Sequence, residues 1–403
     1  MKAVEIKKGV YWVGAIDFNV RNFHGYTYSV RRGSTYNAYL IVDEKIALVD
    51  TVYGPFANEM IERIKAVVDP AKINYIIANH VETDHSGALP DIMKLCPKAK
   101  VYGTAKCKEG LERMYYLNLG FQTVKTGDKL SLGKKTLQFI EAPMIHWPDS
   151  MFSYLVEDAV LLPNDAFGQH YATAERFDDE IDEAALMDEA AKYYANILLP
   201  LSGVIAKKLE DLKKMNIPIK MIAPSHGIIW RKDPLKIVNA YAGWAAQNTK
   251  PKIVIAYETM WGATEKMARE IADGAASAGV EVKFFEINHT ERAEIIKEML
   301  DAKAYIIGSP THDNDMLPNL AGFMEFLKCL KPKNRIAAAF GSYGWAGGAV
   351  NSIEKILKET GVEIAQPSLS VQYMPDENEV KKCFQWGKEL AEKVVPRPET
   401  PVR

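Results

Sequence analysis

Tyr75-Ile76-Ile77-Ala78-Asn79-His80-Val81-Glu82-Thr83-Asp84-His85 is the stretch on which the reading of this chain turns. Residues 75–78 read as a β-strand, and the strand runs directly into two histidines and two carboxylates. In extended backbone alternate side chains share a face. His80, Glu82 and Asp84 are therefore expected to converge, while His85 turns toward a second position. Imidazoles and carboxylates gathered at the carboxyl end of a strand are what a metal ion needs.

Three further candidates repeat that placement. His146 follows an apolar run at 137–140, Asp165 follows Leu161-Leu162, and His226 follows Met221-Ile222-Ala223. Each alone is more often a satisfied structural residue than a ligand; together they form one pattern. Four His and three carboxylates are too many for one ion and suit two ions sharing a carboxylate. With no thiolate among them, the donors fit Fe or Mn at least as well as Zn. The carboxylate at Glu82, where a strictly hydrolytic zinc site would more often carry His, favours a redox-active iron pair.

Outward from this motif, two apolar runs at 39–42 and 46–49 flank Asp43-Glu44-Lys45 and read as a β-hairpin. Pro55 opens a helix in which Phe56, Met60, Ile61, Ile64 and Val68 keep helical spacing. More strands are expected at 100–102, 136–140, 152–156 and 221–223. Hairpins followed by strand and helix alternation suggest a mixed layered sandwich. A helix at 235–246 ends in Gln247-Asn248-Thr249-Lys250-Pro251, where the domain boundary is placed, giving domains of residues 1–250 and 251–403. Beyond it, βα units repeat with strands at 253–257, 280–286, 304–308 and 336–340, then a closing strand and helix. That order implies a doubly wound parallel sheet. The tail, 396–403, reads as disordered.

Three loops fall at strand ends in the second domain. Thr259-Met260-Trp261-Gly262-Ala263-Thr264 opens a helix, and its hydroxyls and free amides form a phosphate cradle. Ser309-Pro310-Thr311-His312 and Gly341-Ser342-Tyr343-Gly344-Trp345-Ala346-Gly347-Gly348 border the crevice where open α/β sheets bind ligands. Tyr343 and Trp345 among glycines suit a flat aromatic ring. The Gly-x-Gly-x-x-Gly fingerprint of dinucleotide sites is absent.

Composition excludes several classes. Hydrophobic residues make up 48% and charged ones 25%, as in a globular protein. Lys and Arg total 50 against 52 for Asp and Glu, which leaves no field for drawing nucleic acid or an anionic membrane. No stretch approaches a membrane span of about 18 apolar residues and no signal segment is evident, so a cytoplasmic protein is expected. Cys96, Cys107, Cys329 and Cys383 contain no Cys-x-x-Cys pair. This argues against a disulfide framework, a zinc ribbon or a rubredoxin-type module, and the four read as buried apolar fillers.

The string His80-x-Glu82-x-Asp84-His85, with His146, Asp165 and His226, resembles the metal signature of the flavodiiron proteins, the A-type flavoproteins. So do His146-Trp147-Pro148-Asp149-Ser150-Met151, Asn164-Asp165-Ala166-Phe167-Gly168-Gln169 and Pro224-Ser225-His226-Gly227. The three later loops resemble those of flavodoxins, with Trp261 where a hydroxyl residue is usual. The resemblance covers the whole chain. It implies a metallo-β-lactamase-like αββα sandwich followed by a flavodoxin-like domain. It also implies that His80, Glu82 and His146 hold one iron, that Asp84, His85 and His226 hold the other, and that Asp165 bridges them. His24 and Tyr194 would stand behind the ligands near the open iron face.

The resemblance further implies two non-haem irons and one FMN per chain, with FMN contacts at 259–264, 309–312 and Ser342, Tyr343, Gly344, Trp345 and Gly347. The expected activity is reduction of dioxygen to water or of nitric oxide to nitrous oxide. A separate donor such as rubredoxin or a reduced deazaflavin would supply electrons, and a head-to-tail homodimer or dimer of dimers is expected. The alternative is a zinc-dependent hydrolase fused to a flavodoxin electron carrier.

Overall fold

Along Tyr39–Val42 and Ile46–Val49 the side chains alternate between two cores, as the two-residue period of a strand requires. Leu40 and Leu48 face one core; Tyr39, Ile41, Ala47 and Val49 face the other. The two strands pair antiparallel, Tyr39 against Val49, and form the expected hairpin. The computed structural model describes residues 2–117 and 119–395, so the expectation for the tail at 396–403 lies outside the described residues.

Two sheets build the first part of the chain. One runs in the order Val4–Lys7, Val10–Trp12, Tyr39–Val42, Ile46–Val49, Ile73–Ile77, Lys100–Gly103, Gln122–Thr123. The other runs Lys129–Ser131, Thr136–Glu141, Met151–Leu155, Val160–Leu162, Met221–Ile222. Trp12, Ile77, Phe139, Met151 and Leu162 fill the space between them. On the outer face of the first sheet, Leu48 and Ile76 pack against Met60, Ile64, Ile92 and Leu111 from helices. Each buried aliphatic side chain of this kind contributes about 1.5–3 kcal/mol relative to exposure. Met151–Leu155 is buried along its whole length, so the second sheet is covered on both faces. This is the αββα sandwich.

The second part carries a parallel sheet in the order Glu281–Glu286, Lys250–Tyr257, Ala302–Gly308, Ile336–Tyr343, Glu363–Ile364, with Leu369–Gln372 also pairing Ile336–Tyr343. The central strands are near-continuous apolar runs because helices cover both faces. The order is the flavodoxin-like 2-1-3-4-5.

By internal contacts the chain divides into Met1–Phe23, Val30–Tyr193 and Gly203–Ala242 on one side, and His24–Ser29, Tyr194–Ser202 and Gly243–Arg403 on the other. Among the described residues, no helix is long and apolar enough to cross a membrane. Cys96, Cys107 and Cys383 are buried as expected. Cys329 is exposed, because it lies on the outer face of helix Pro318–Leu330, whose apolar stripe is Leu320, Phe323, Met324, Leu327 and Leu330.

Candidate metal and flavin sites

Strand Ile73–Ile77 ends before the histidines, and Thr83–Ser86 turns into a short helix. The expected alternation therefore holds for His80 and Glu82 and fails for Asp84, which the turn carries to the far side beside His85. His80, Glu82, His146 and Asp165 bring their ligand atoms together as one group; Asp84, His85 and His226 form a second.

Asp165 lies between the groups. Its Oδ2 is 3.3 Å from His146 Nε2 and 3.8 Å from His80 Nε2, while its Oδ1 is 3.0 Å from His85 Nε2 and 3.5 Å from His226 Nε2. Glu82 Oε2 stands 3.2 Å from His146 Nε2 and 3.4 Å from His80 Nε2. On the other side Asp84 lies 3.3 Å from His85 and 3.1 Å from His226. Ligands bonded at about 2.1 Å to one ion stand roughly 3.0–3.4 Å apart. Asp84 Oδ1, His85 Nε2 and Asp165 Oδ2 are buried and meet only one another, His80 and His146 through these close contacts, none of them a well-aligned hydrogen bond, an arrangement that costs about 1–3 kcal/mol per group unless something else binds them. The donor set fits two metal ions sharing Asp165.

The protonation of the bare site points the same way. Burial pushes His80 down, but Asp149, Glu82 and Asp165 outweigh it and hold its pKa at about 10. Burial likewise opposes the charge on His85 and His146, yet Asp165 with Asp84 lifts His85 to about 9, and Asp165 with Glu82 lifts His146 to about 10. Asp165 is pulled well below the carboxylate range, against its burial, by His85 and His146. Protons thus supply the positive charge that metal ions would otherwise bring.

Residues behind the ligands orient them. Asp149 Oδ2 accepts from His80 Nδ1 at 2.9 Å and from Val81 N at 2.8 Å. His226 Nδ1 donates to Thr35 O at 2.6 Å. Asp50 binds Asn79 and Asn164, the residues just before His80 and Asp165, and Thr51 Oγ1 donates to His85 O. Gly227, at φ 74°, lies so close to Gln169 that a Cβ would meet its Oε1 at 1.5 Å, so this loop after His226 requires glycine. Asp149 was readable in the quoted Trp147-Pro148-Asp149; the Thr35 contact uses backbone and leaves no signature.

His24 and Tyr194 are placed differently from the ligands. His24 is exposed at φ 48°, in a turn closed by Thr27. Tyr194 is buried, its hydroxyl 3.0 Å from Ser202 Oγ and its ring 5.3 Å from Trp244. Its neighbour Tyr193 lies by the site, 5.2 Å from the His170 ring and 6.3 Å from His226. Burial first, then the charge of Asp165, drives the Tyr193 hydroxyl far above its ordinary pKa. His170 Nδ1 is 2.8 Å from Ser34 Oγ, and its ring stacks on Phe23 at 4.2 Å.

In the second part, a cavity of about 610 Å³ opens at the carboxyl ends of the parallel strands. Thr259, Met260, Trp261, Ala263, Pro310, Thr311, His312, Ser342, Tyr343, Gly344 and Trp345 line it, as expected. Ala346, from the same glycine-rich loop, also contributes, and so do Asp313, Asn314, Tyr373 and Met374, which the sequence reading missed. Gly262, Thr264, Ser309 and Gly347 are not in its wall. Gly262 supplies the positive φ of 84° that starts helix Ala263–Ser277. Thr264 is buried, its Oγ1 2.8 Å from Ser342 Oγ, while Ser309 Oγ accepts from Leu317 N. Trp261 and Trp345 stand 83% and 91% exposed at the mouth, free to lie against a planar ring. Hydroxyls and helix amides at one end and aromatic rings at the other fit FMN.

An αββα sandwich with paired His and carboxylate groups, joined to a flavodoxin-like domain, defines a flavoprotein with a binuclear metal centre. A profile described as ODP family beta lactamase matches residues 35–227, and the flavodoxin profile matches 255–387. The chain is 53% identical to the nitric oxide reductase of Moorella thermoacetica, over 97% of this chain and 98% of that one. It resembles the solved rubredoxin oxygen:oxidoreductase of Desulfovibrio gigas with a TM-score of 0.95 and 38% identity, covering 98% of each chain. It also resembles the flavodiiron protein of Giardia intestinalis with a TM-score of 0.94 and 34% identity, over 98% of this chain and 97% of that one. The chain belongs to the flavodiiron protein family. The first two of these are named as a reductase and an oxidoreductase, which favours the redox reading over the zinc hydrolase.

Proposed function

We propose that the chain reduces dioxygen to water, or nitric oxide to nitrous oxide, with residues 1–250 holding a diiron site and residues 251–403 holding FMN. The observation that carries this reading is Asp165, whose two oxygens face two separate donor groups. His80, Glu82 and His146 would hold one iron, and Asp84, His85 and His226 the other. A ferrous pair with reduced FMN supplies four electrons, the number dioxygen needs, and two suffice for a pair of nitric oxide molecules.

The chain's own residues do the rest. Trp147 stands edge-on to His80 at 5.1 Å and walls the first group, while Phe23, Tyr36 and Tyr193 crowd His226. Such walls admit a diatomic gas and exclude bulk water. Tyr193, a hydroxyl buried beside the site, fits the supporting role expected of Tyr194; His24 keeps its proposed role only if a partner chain covers it. Thr259, Ser342 and the first amides of Ala263–Ser277 would hold the FMN phosphate, and Tyr343 and Trp345 its ring.

Exposed aromatics at the flavin mouth, and Trp147 with Met144 by the metal groups, support a head-to-tail homodimer or a dimer of dimers. A separate donor, rubredoxin or a reduced deazaflavin, recharges FMN in the cytoplasm. The test is gas consumption by iron-loaded protein with each donor: turnover of either gas that vanishes on iron removal is expected, and turnover of neither gas would refute the reading. Hydrolytic turnover in the zinc form with no gas reduction in the iron form would restore the hydrolase.

A further inference from the structure

The two donor groups are chemically matched. Each offers two imidazole nitrogens, one carboxylate of its own and one oxygen of Asp165. Whatever distinguishes two ions held there must come from the groups behind the ligands, and those differ. Asp165 Oδ1, facing His85 and His226, accepts a hydrogen bond from Ser225 Oγ at 3.1 Å. Asp165 Oδ2, facing His80 and His146, is buried and receives no hydroxyl donor among the described residues. Behind His80 stands the Asp149 carboxylate at 2.9 Å; behind His226 stands the neutral carbonyl of Thr35 at 2.6 Å. His85 Nδ1 is buried with no hydrogen-bond partner.

These differences all act in one direction. A carboxylate on the far nitrogen makes an imidazole a stronger donor. A hydroxyl donating to a carboxylate oxygen draws electron density away from whatever else that oxygen binds, and hydrogen bonds to ligand atoms are a known lever on potential. The His80, Glu82 and His146 group is therefore the electron-richer one. We infer that Ser225 is a positioning residue which, together with Asp149, sets the two irons at unequal potentials. An iron held beside His80 would lose an electron to a chemical oxidant at the lower potential, and an iron held beside His226 would stay ferrous to a higher one. This rests on the diiron reading of the site.

Ser225 can be changed without loosening the loop, because its N donates to Asn164 O at 2.8 Å and its O accepts from Asn37 N at 2.7 Å. The test is an anaerobic redox titration of the iron-loaded full chain, reading the low-temperature EPR signal of the pair with one ferric and one ferrous ion. In the unaltered protein that signal should span a broad range of potential. In Ser225→Ala, with two irons retained per chain, the range should narrow and the maximum signal fall several-fold; Ser225→Thr, which keeps a hydroxyl, should restore both. Asp149→Asn, which removes the charge behind His80, should also narrow the range. An unchanged range in Ser225→Ala, a Ser225→Thr protein that behaves like Ser225→Ala, or loss of iron from Ser225→Ala would each overturn the assignment. Unaltered protein that cannot hold two irons would instead overturn the diiron reading beneath it.

Discussion

Asp165 Oδ1 and His85 Nε2 lie 3.0 Å apart, both side chains wholly buried. His85 serves one donor group only, whereas the other oxygen of Asp165 serves the second. Removing Asp165 should therefore cost both irons, and removing His85 mainly one. We expect Asp165→Ala to carry little iron and no gas-reducing activity with an unchanged FMN spectrum, and His85→Ala to retain about one iron, since each structural or catalytic ion needs roughly three to four protein ligands. Iron analysis checks this. Full iron content in Asp165→Ala would remove it from the site.

Metal loading should release protons. In the bare site His80, His85 and His146 hold pKa values of about 10, 9 and 10, raised from 6.5. Raised values mean stability that is fully present below about pH 6.5 and lost as pH climbs through 9 to 10. Calorimetry of metal-free protein should show the melting temperature of the first domain falling over that range, and the iron-loaded protein should lose less. Adding ferrous iron to the bare protein at pH 8 should release about three protons to a weak buffer, because ligands must be deprotonated to bind metal. No release would show that these histidines are not ligands.

The flavin cavity makes a separate demand. Thr264 Oγ1 lies 2.8 Å from Ser342 Oγ, and Ser342 lines the cavity, so Thr264→Val, which keeps the shape and removes the hydroxyl, should weaken FMN binding roughly three- to tenfold, the worth of one buried hydrogen bond. Gly262→Ala should cost about 1–2 kcal/mol through its φ of 84°. Fluorescence titration of flavin-free protein measures both. Unchanged affinity in Thr264→Val would place the phosphate elsewhere.

Residues 252–403 expressed alone should fold and bind FMN while reducing neither gas, since the parallel sheet and its helices form a complete core. That fragment lacks Asn196, whose Nδ2 donates to Ala293 O, so a lowered melting temperature is expected. An insoluble fragment without flavin would place the boundary elsewhere.

Whether electrons pass between chains or within one is decided by a complementation test. Asp165→Ala chains mixed with chains disabled at Gly262 and Thr264 should regain activity if the FMN of one chain serves the irons of its partner. Mixed dimers purified on two tags and still inactive would refute that route.

Much of this was legible in sequence because strands announce themselves by period and end in chemistry. The hairpin at Asp43-Glu44-Lys45, the βα repeats and all seven ligand candidates followed from local pattern. Asp84 was misassigned to the strand face because Thr83–Ser86 takes a helical turn, which four polar residues do not advertise. Tyr193 and Tyr194 could not be told apart, since a π-helical segment begins at Tyr194 and shifts the side-chain register there. Tyr373 and Met374 reach the flavin cavity only because Leu369–Gln372 pairs with Ile336–Tyr343, a long-range contact with no local signal. Ser225 sits in the quoted Pro224-Ser225-His226-Gly227, yet its bond to Asp165 depends on two strand ends meeting.

The most direct measurement is anaerobic stopped-flow mixing of fully reduced, iron-loaded protein with dioxygen or with nitric oxide, following the flavin absorbance. FMN should reoxidise rapidly with at least one gas in the unaltered protein, and only slowly in Asp165→Ala carrying the same FMN. Equal reoxidation rates in the two proteins would mean that the flavin reacts by itself, and would contradict an iron pair as the seat of reduction.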